Sequence, residues 1–311
     1  MITLSENFRA LFYTPFYVAQ ATRAFAREGV DVTVRPSAEP GQAAAALEAG
    51  EVKVMWGGPL HVLLAHDADP GCDVVCVCDV VARDPFFIIG REPRPDFRPA
   101  DLAAPGATPQ AGVRLGTVSE VPTPWLCLQD DIRRDGADPA AVRRITDGTM
   151  AQNAARLREG SLDAVQLFQP YAEDLLASGA GHLWYAAANR GLTAYTTLVT
   201  RRSTLARKRD ELLAMVRAMR RTLHWVRATP GAEIQRLLAG TFPDIPAATA
   251  ASAIDRYRGL DLYSADCMTR REGFDRLAAA MHSGGALRRD VPFEECVDNS
   301  LAEQVAGTGQ D

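Results

Sequence analysis

Four times along this 311-residue chain a polar or aromatic residue follows a strand-like segment in a short loop, and a proline stands at or near the start of the next helical stretch. The loops are Tyr13-Thr14-Pro15, Trp56-Gly57-Gly58-Pro59, Ser119-Glu120-Val121-Pro122-Thr123 and Phe168-Gln169-Pro170-Tyr171. Proline suits the first helical turn, where its missing N–H is one of the donors that has no partner anyway. Strands that alternate with helices of about ten residues specify a mostly parallel sheet covered by helices on both faces.

The alternation runs through most of the chain. A helix over 16–27 ends at Gly29, and Val30, Val32 and Val34 then alternate with polar neighbours as a strand. A helix over 42–49, a strand over 52–56, a helix over 60–66 and the apolar strand 74–81 follow, and Phe86-Phe87-Ile88-Ile89 reads as a strand leaving this unit. Between Pro93 and Gln110 five prolines mark irregular chain. The pattern then restarts: strand 113–118, helix 124–134, strand 142–145, helix 150–158, strand 163–167, helix 171–177 and a strand-like 195–200. From Ser203 the signals are almost purely helical. A chain that builds one α/β unit, then a second, and finishes in helices can return across a two-strand hinge to complete the first. The expected division is therefore a discontinuous lobe of residues 1–87 and 199–311, with a second lobe of residues 88–198, consistent with the usual size of a domain.

Net charge of −5 lacks the clustered basic excess that a phosphate backbone demands, so nucleic acid is not an expected partner. No apolar run approaches the roughly 18 residues of a membrane span. Thr3, Ser5, Glu6 and Asn7 interrupt the start, so no export signal is read there. The compartment stays open: cytoplasmic as the sequence is written, periplasmic if a leader was removed. Of six cysteines, Cys76 and Cys78 lie in a run that reads as a buried strand, and no second Cys or His pair stands at zinc-like spacing. Free buried thiols, no metal and no cofactor are expected.

Ligands of open α/β sheets sit beyond the carboxyl ends of the strands, where helix N-termini offer unpaired N–H groups and the positive end of a dipole. The four loops fall at that place. Their residues suit a flat solute with polar edges. Tyr13, Trp56, Phe168 and Tyr171 could stack on it, Thr14, Ser119, Thr123 and Gln169 could hydrogen-bond it, and Gly57 and Gly58 allow close backbone approach. Each has a plainer role as well: the aromatics as core, Ser119 and Thr123 as helix caps, Glu120 as a surface carboxylate rather than a receiver for an amino group. Arg83 and Asp84 stand near the presumed hinge, where an ion pair competes with ligand contact for Asp84. Tyr195 on the returning strand either lines the pocket or packs beneath it, and Asn153 is a weaker candidate.

Several segments carry a resemblance. Tyr13-Thr14-Pro15-Phe16-Tyr17-Val18-Ala19-Gln20, Phe25-Ala26-Arg27-Glu28-Gly29-Val30-Asp31-Val32, Gly50-Glu51-Val52-Lys53-Val54, Asp84-Pro85-Phe86 and Val297-Asp298-Asn299-Ser300 resemble, in order and spacing, the sulfonate-binding and thiamine-pyrimidine-synthase-like family of substrate-binding proteins. The similarity spans nearly the whole chain. It implies the type 2 periplasmic-binding-protein fold, a clamshell of two α/β lobes joined by two crossing strands that usually presents its ligand to an ABC permease. It does not imply which ligand. In the family's pyrimidine synthases a lysine holds pyridoxal phosphate and a nearby histidine is consumed; aligned on residues 50–61 the histidine falls on His61, but the lysine position is Gly57, which cannot form a Schiff base. The sulfinate desulfinases, on a similar fold, use a first-loop cysteine, and here that loop offers Tyr13 and Thr14. The leading expectation is a non-enzymatic binding protein; the alternative is a cytoplasmic enzyme or ligand sensor on the same clamshell.

Overall fold

A computed structural model of the chain describes residues 1–37, 39, 41–104, 112–118 and 121–307. Among the described residues ten strands form two five-stranded sheets. The first half supplies β1 (Ile2–Ser5), β2 (Val32–Arg35), β3 (Val54–Gly57) and β4 (Val74–Val81). The middle supplies β5 (Phe87–Gly90), β6 (Leu115–Gly116), β7 (Arg144–Ile145), β8 (Ala164–Leu167), β9 (His182–Ala186) and β10 (Thr196–Arg201).

The two sheets share one plan. Their orders are β2-β1-β3-β10-β4 and β7-β6-β8-β5-β9. In the first, β1 pairs parallel with β2 and β3, whereas β10 runs antiparallel between β3 and β4, with Leu198 opposite both Trp56 and Cys78. In the second, β6 pairs parallel with β7 and β8, and β5 runs antiparallel between β8 and β9, with Ile88 opposite Gln166 and Tyr185. The inserted antiparallel strand reaches each sheet from the other one, so the chain passes between the sheets twice, through residues 82–86 and 187–195. The passages run side by side: the Thr193 N–H donates to the Ala82 carbonyl at 2.8 Å, Tyr195 N–H to Val81 at 3.0 Å and Ala187 N–H to Phe86 at 2.9 Å. This is the two-lobed clamshell, each lobe a mostly parallel sheet flanked by helices.

Burial explains the strand sequences. All eight residues of β4 are buried, and seven of them, all but Asp79, are apolar, which is why it reads as an apolar strand. After β10 the chain is helical. The helix Arg209–Ala228 turns Leu212, Met215, Met219, Leu223 and Val226 into the core, one face at helical spacing, against the helix Thr14–Ala21. The helix Arg271–Ser283 packs against Thr123–Arg134 of the second lobe, and Val297 bridges back to Cys76 on β4.

Local expectations differ from the structure in four places. The helix expected over 16–27 is two, Thr14–Ala21 and Ala24–Arg27, because the Thr22 hydroxyl donates back to the Val18 carbonyl at 2.8 Å and Arg23 turns left-handed at φ 54°. The strand expected over 113–118 pairs only at Leu115–Gly116, and 142–145 only at Arg144–Ile145. An additional edge strand, β9, covers His182–Ala186; its mixed exposed and buried residues lack a clean alternation.

Candidate interlobe site

Two cavities open at the strand tips. The smaller, of about 200 Å³, is lined from the first lobe by Asn7, Phe8, Tyr13, Gly41, Gly58, Leu60 and His61, from the second by Val121, Pro122 and Thr123, and from the crossing segment by Tyr195. The larger, of about 530 Å³, is lined by Phe8, Arg9, Ala10 and Leu11, by Val121, Met150 and Phe168 to Tyr171, and by Thr241 to Ile245. Phe8 and Val121 belong to both walls.

The placement follows from the sheets. Asn7 and Tyr13 follow β1, Gly58 follows β3, Val121 to Thr123 follow β6, and Phe168 follows β8, each at the carboxyl end of a parallel strand. Three helices begin at the smaller cavity: Gln42–Glu48 after Gly41, Pro59–Ala68 after Gly58, and Thr123–Arg134. Gly41 is left-handed at φ 89° and its N–H donates to Asn7 Oδ1 at 3.4 Å. A side chain at Gly58 would have its Cβ 3.3 Å from the Tyr195 carbonyl, so glycine there lets the β3 tip lie against the crossing segment.

The polar groups of the smaller cavity are neutral. Burial pushes both the Tyr13 and the Tyr195 phenols up. Burial lowers the His61 imidazole below its ordinary value and favours the uncharged ring. Neutral phenols, a neutral imidazole, an amide and the Thr123 hydroxyl can donate to and accept from a solute, but they do not offer it a formal countercharge. Among the described residues no group of three or more His, Cys, Asp or Glu could hold a metal ion.

Of the residues picked from sequence, Tyr13, Gly58, Thr123 and Tyr195 meet at the smaller cavity, and Phe168, Gln169 and Tyr171 at the larger. Ser119 and Glu120 lie outside the described residues. Five others line neither cavity. Trp56 is fully buried with its ring stacked on Phe16 at 4.5 Å between centroids and 9° between planes. Thr14 is fully buried and donates to the Leu11 carbonyl at 2.6 Å. Gly57 is buried, and an added Cβ there would stand 2.8 Å from the Met55 methyl. Asp84 is fully buried and paired with Arg190, while Arg83 donates to the Ala188 carbonyl at 3.1 Å, so the hinge ion pair uses a different arginine from its chain neighbour. Asn153 is buried, donating to the Thr117 carbonyl at 3.2 Å. The Gln169 side chain is engaged by Glu173: its Nε2 donates to Glu173 Oε2 at 3.3 Å, and its Oε1 accepts from the Glu173 N–H at 2.8 Å.

Sequence reasoning missed Asn7 and Phe8 and the segment Thr241 to Ile245. Asn7 carried a usable signal, a polar residue just past an apolar strand. Thr241 to Ile245 carried none, because it comes more than 70 residues after Phe168 and only the return of the helical tail brings it there.

With the geometry in hand, three likenesses bear on the chain. "Putative binding protein YtlA" of Bacillus subtilis (strain 168) is 23% identical over 309 residues, 98% of this chain and 89% of the relative. The periplasmic aliphatic sulphonate binding protein SsuA from Escherichia coli superposes with a TM-score of 0.75 at 16% identity, covering 97% of this chain and 99% of that one. The desulfurization enzyme DSZB superposes with a TM-score of 0.69 at 12% identity over 100% of both chains. At such identities these structures share the fold, which is that of the periplasmic binding proteins. A model of the NMT1-like family matches residues 8–239, well over half the chain, and the protein belongs to that family.

Proposed function

We propose that this protein is a solute-binding protein that closes two lobes, one built on each sheet, on a small polar or aromatic molecule, and that it hands this solute to an ABC permease. One observation carries the reading: Tyr13 and Gly58 from the first sheet, Thr123 from the second and Tyr195 from the crossing segment line one cavity at the strand tips. A solute held there touches both lobes at once, so its binding free energy favours the closed form. The binding-protein names carried by YtlA and SsuA agree with it. Tyr13, Gly58, Thr123, Tyr195, Phe168, Gln169 and Tyr171 are the proposed contacts, joined by Asn7 and His61.

Native mass spectrometry of freshly purified protein, followed by a thermal-shift panel of pyrimidines, aromatic acids and sulfonates, tests this, because a ligand that binds only the folded state raises its stability by mass action. A bound species or a saturable shift supports the reading. A bare native mass together with no shift from any class contradicts it.

The likeness to DSZB keeps an enzyme in view as a second reading. Against it, the smaller cavity has no cysteine, lysine or carboxylate among its described lining residues. Recovery of a bound solute chemically unchanged after prolonged incubation would count against turnover.

A further inference from the structure

We infer that the solute has two parts: a compact, uncharged, hydrogen-bonding head held in the smaller cavity, and an apolar arm lying in the larger one. This rests on the binding reading above and deepens it. The two cavities are neighbours with a common partition, since Phe8 and Val121 line both. Phe8 faces Phe168 at 6.4 Å between ring centroids with 19° between planes, and meets Tyr13 edge-on at 5.3 Å, so its ring stands between the polar wall and the apolar one.

The chemistry of the chambers differs. Asn7, Tyr13, His61, Thr123 and Tyr195 bring polar groups to the smaller cavity, and its described lining holds no Arg, Lys, Asp or Glu. A sulfonate or carboxylate head would meet no cationic side chain among the described lining, only the partial charge of the helix N-termini, whereas an amide or a neutral heterocycle can exchange its water hydrogen bonds for those of the wall. The larger cavity is walled mainly by Phe8, Met150, Phe168, Tyr171, Phe242 and Ile245. Its charged residues stand at the rim: Asp244 is exposed, and the half-exposed Arg9 donates to the Thr241 carbonyl at 3.3 Å with Glu6 at 3.8 Å. A chamber of about 530 Å³ with this wall exceeds what a compact head needs and gains most from an aryl or alkyl substituent. Each methylene moved from water into it tightens binding by about fourfold.

Titration calorimetry on head and arm pairs tests this, with uracil against 6-benzyluracil, benzamide against 4-butylbenzamide, and methanesulfonate against octanesulfonate as the probes. The uncharged arm-bearing compound of at least one pair is expected to bind the wild type at least tenfold more tightly than its armless partner. Ile245→Trp, which fills the larger chamber, is expected to reduce that advantage below twofold while armless binding persists, and Thr123→Val to weaken both members by the same factor. Should Ile245→Trp not fold, as judged by circular dichroism, Tyr171→Ala, which removes wall contacts, is expected to reduce the advantage at least threefold. Equal affinities within every pair, an advantage that survives the chamber variant, or tightest binding by the sulfonates would overturn the inference. If none of the six compounds binds, the inference fails, and the native mass separates the cases: a co-purified solute leaves the binding reading standing, and a bare protein removes both.

Discussion

Asp84, in one crossing segment, and Arg190, in the other, form a buried ion pair, and the same guanidinium also engages Asp131 on the helix Thr123–Arg134. Burial pushes the Asp84 carboxyl up against the opposing pull of Arg190, and the Phe86 N–H adds a hydrogen bond at 2.9 Å. Two carboxylates on one buried cation tie the hinge to the second lobe. Arg190→Met leaves both without a countercharge and is expected to cost about 3–5 kcal/mol of stability. Denaturant unfolding of the variant checks this; a loss under about 1 kcal/mol would show that the carboxylates find other partners.

Trp56 sits inside the first lobe, between Phe16 and the edge of Tyr17. Trp56→Ala is expected to destabilise the fold by about 3–5 kcal/mol through the cavity it leaves. A variant with wild-type unfolding but weakened solute binding would return Trp56 to the site.

Asp79, on β4, is wholly buried, and its carboxyl is pushed up to about 8, chiefly by burial. Between its ordinary value of 3.8 and about 8 the folded chain keeps this proton while the unfolded chain releases it. The residue's contribution to stability therefore falls as pH rises through that window and levels off above it. Asp79→Asn carries no such titration and is expected to gain on the wild type steadily from pH 4 to pH 8, by about 1 kcal/mol for each step of one in pH. Thermal unfolding of both proteins across that range gives the comparison; a constant difference would mean that Asp79 ionises in the fold as it does in water.

Thr123→Val and Tyr195→Phe each remove one hydroxyl from the smaller cavity and little volume. Each is expected to weaken binding of a solute found by the thermal-shift panel by about 1 kcal/mol, roughly fivefold, with the unfolding midpoint of the free protein unchanged. Calorimetry with that solute decides; wild-type affinity in both variants would move the head group elsewhere.

Much of the architecture was legible because it is written in local terms. The mainly apolar run of β4, the helices Met150–Arg158 and Tyr171–Ala177 and the prolines at helix starts need only neighbours along the chain to explain them. The candidate site was legible at the level of the loop. All three strand-tip loops that are described in full, around Tyr13, Gly58 and Phe168, bring a residue to a cavity wall, as does Thr123 of the fourth.

Which residue of a loop faces a cavity was not legible. Trp56 still belongs to β3 and packs onto Phe16, whereas Gly58, one residue past the strand's end, lies at the opening; Thr14 opens a helix and turns inward beside a cavity-lining Tyr13. The sequence by itself determined the alternating α/β pattern and the sheet ends where a ligand can sit, because strand and helix periods are properties of consecutive residues. Only the tertiary structure decided that Asp84 meets Arg190 rather than Arg83, that Phe8 divides the cleft and that Thr241 to Ile245 close its far wall. Those contacts join residues far apart in the chain, and they exist only once both lobes have packed.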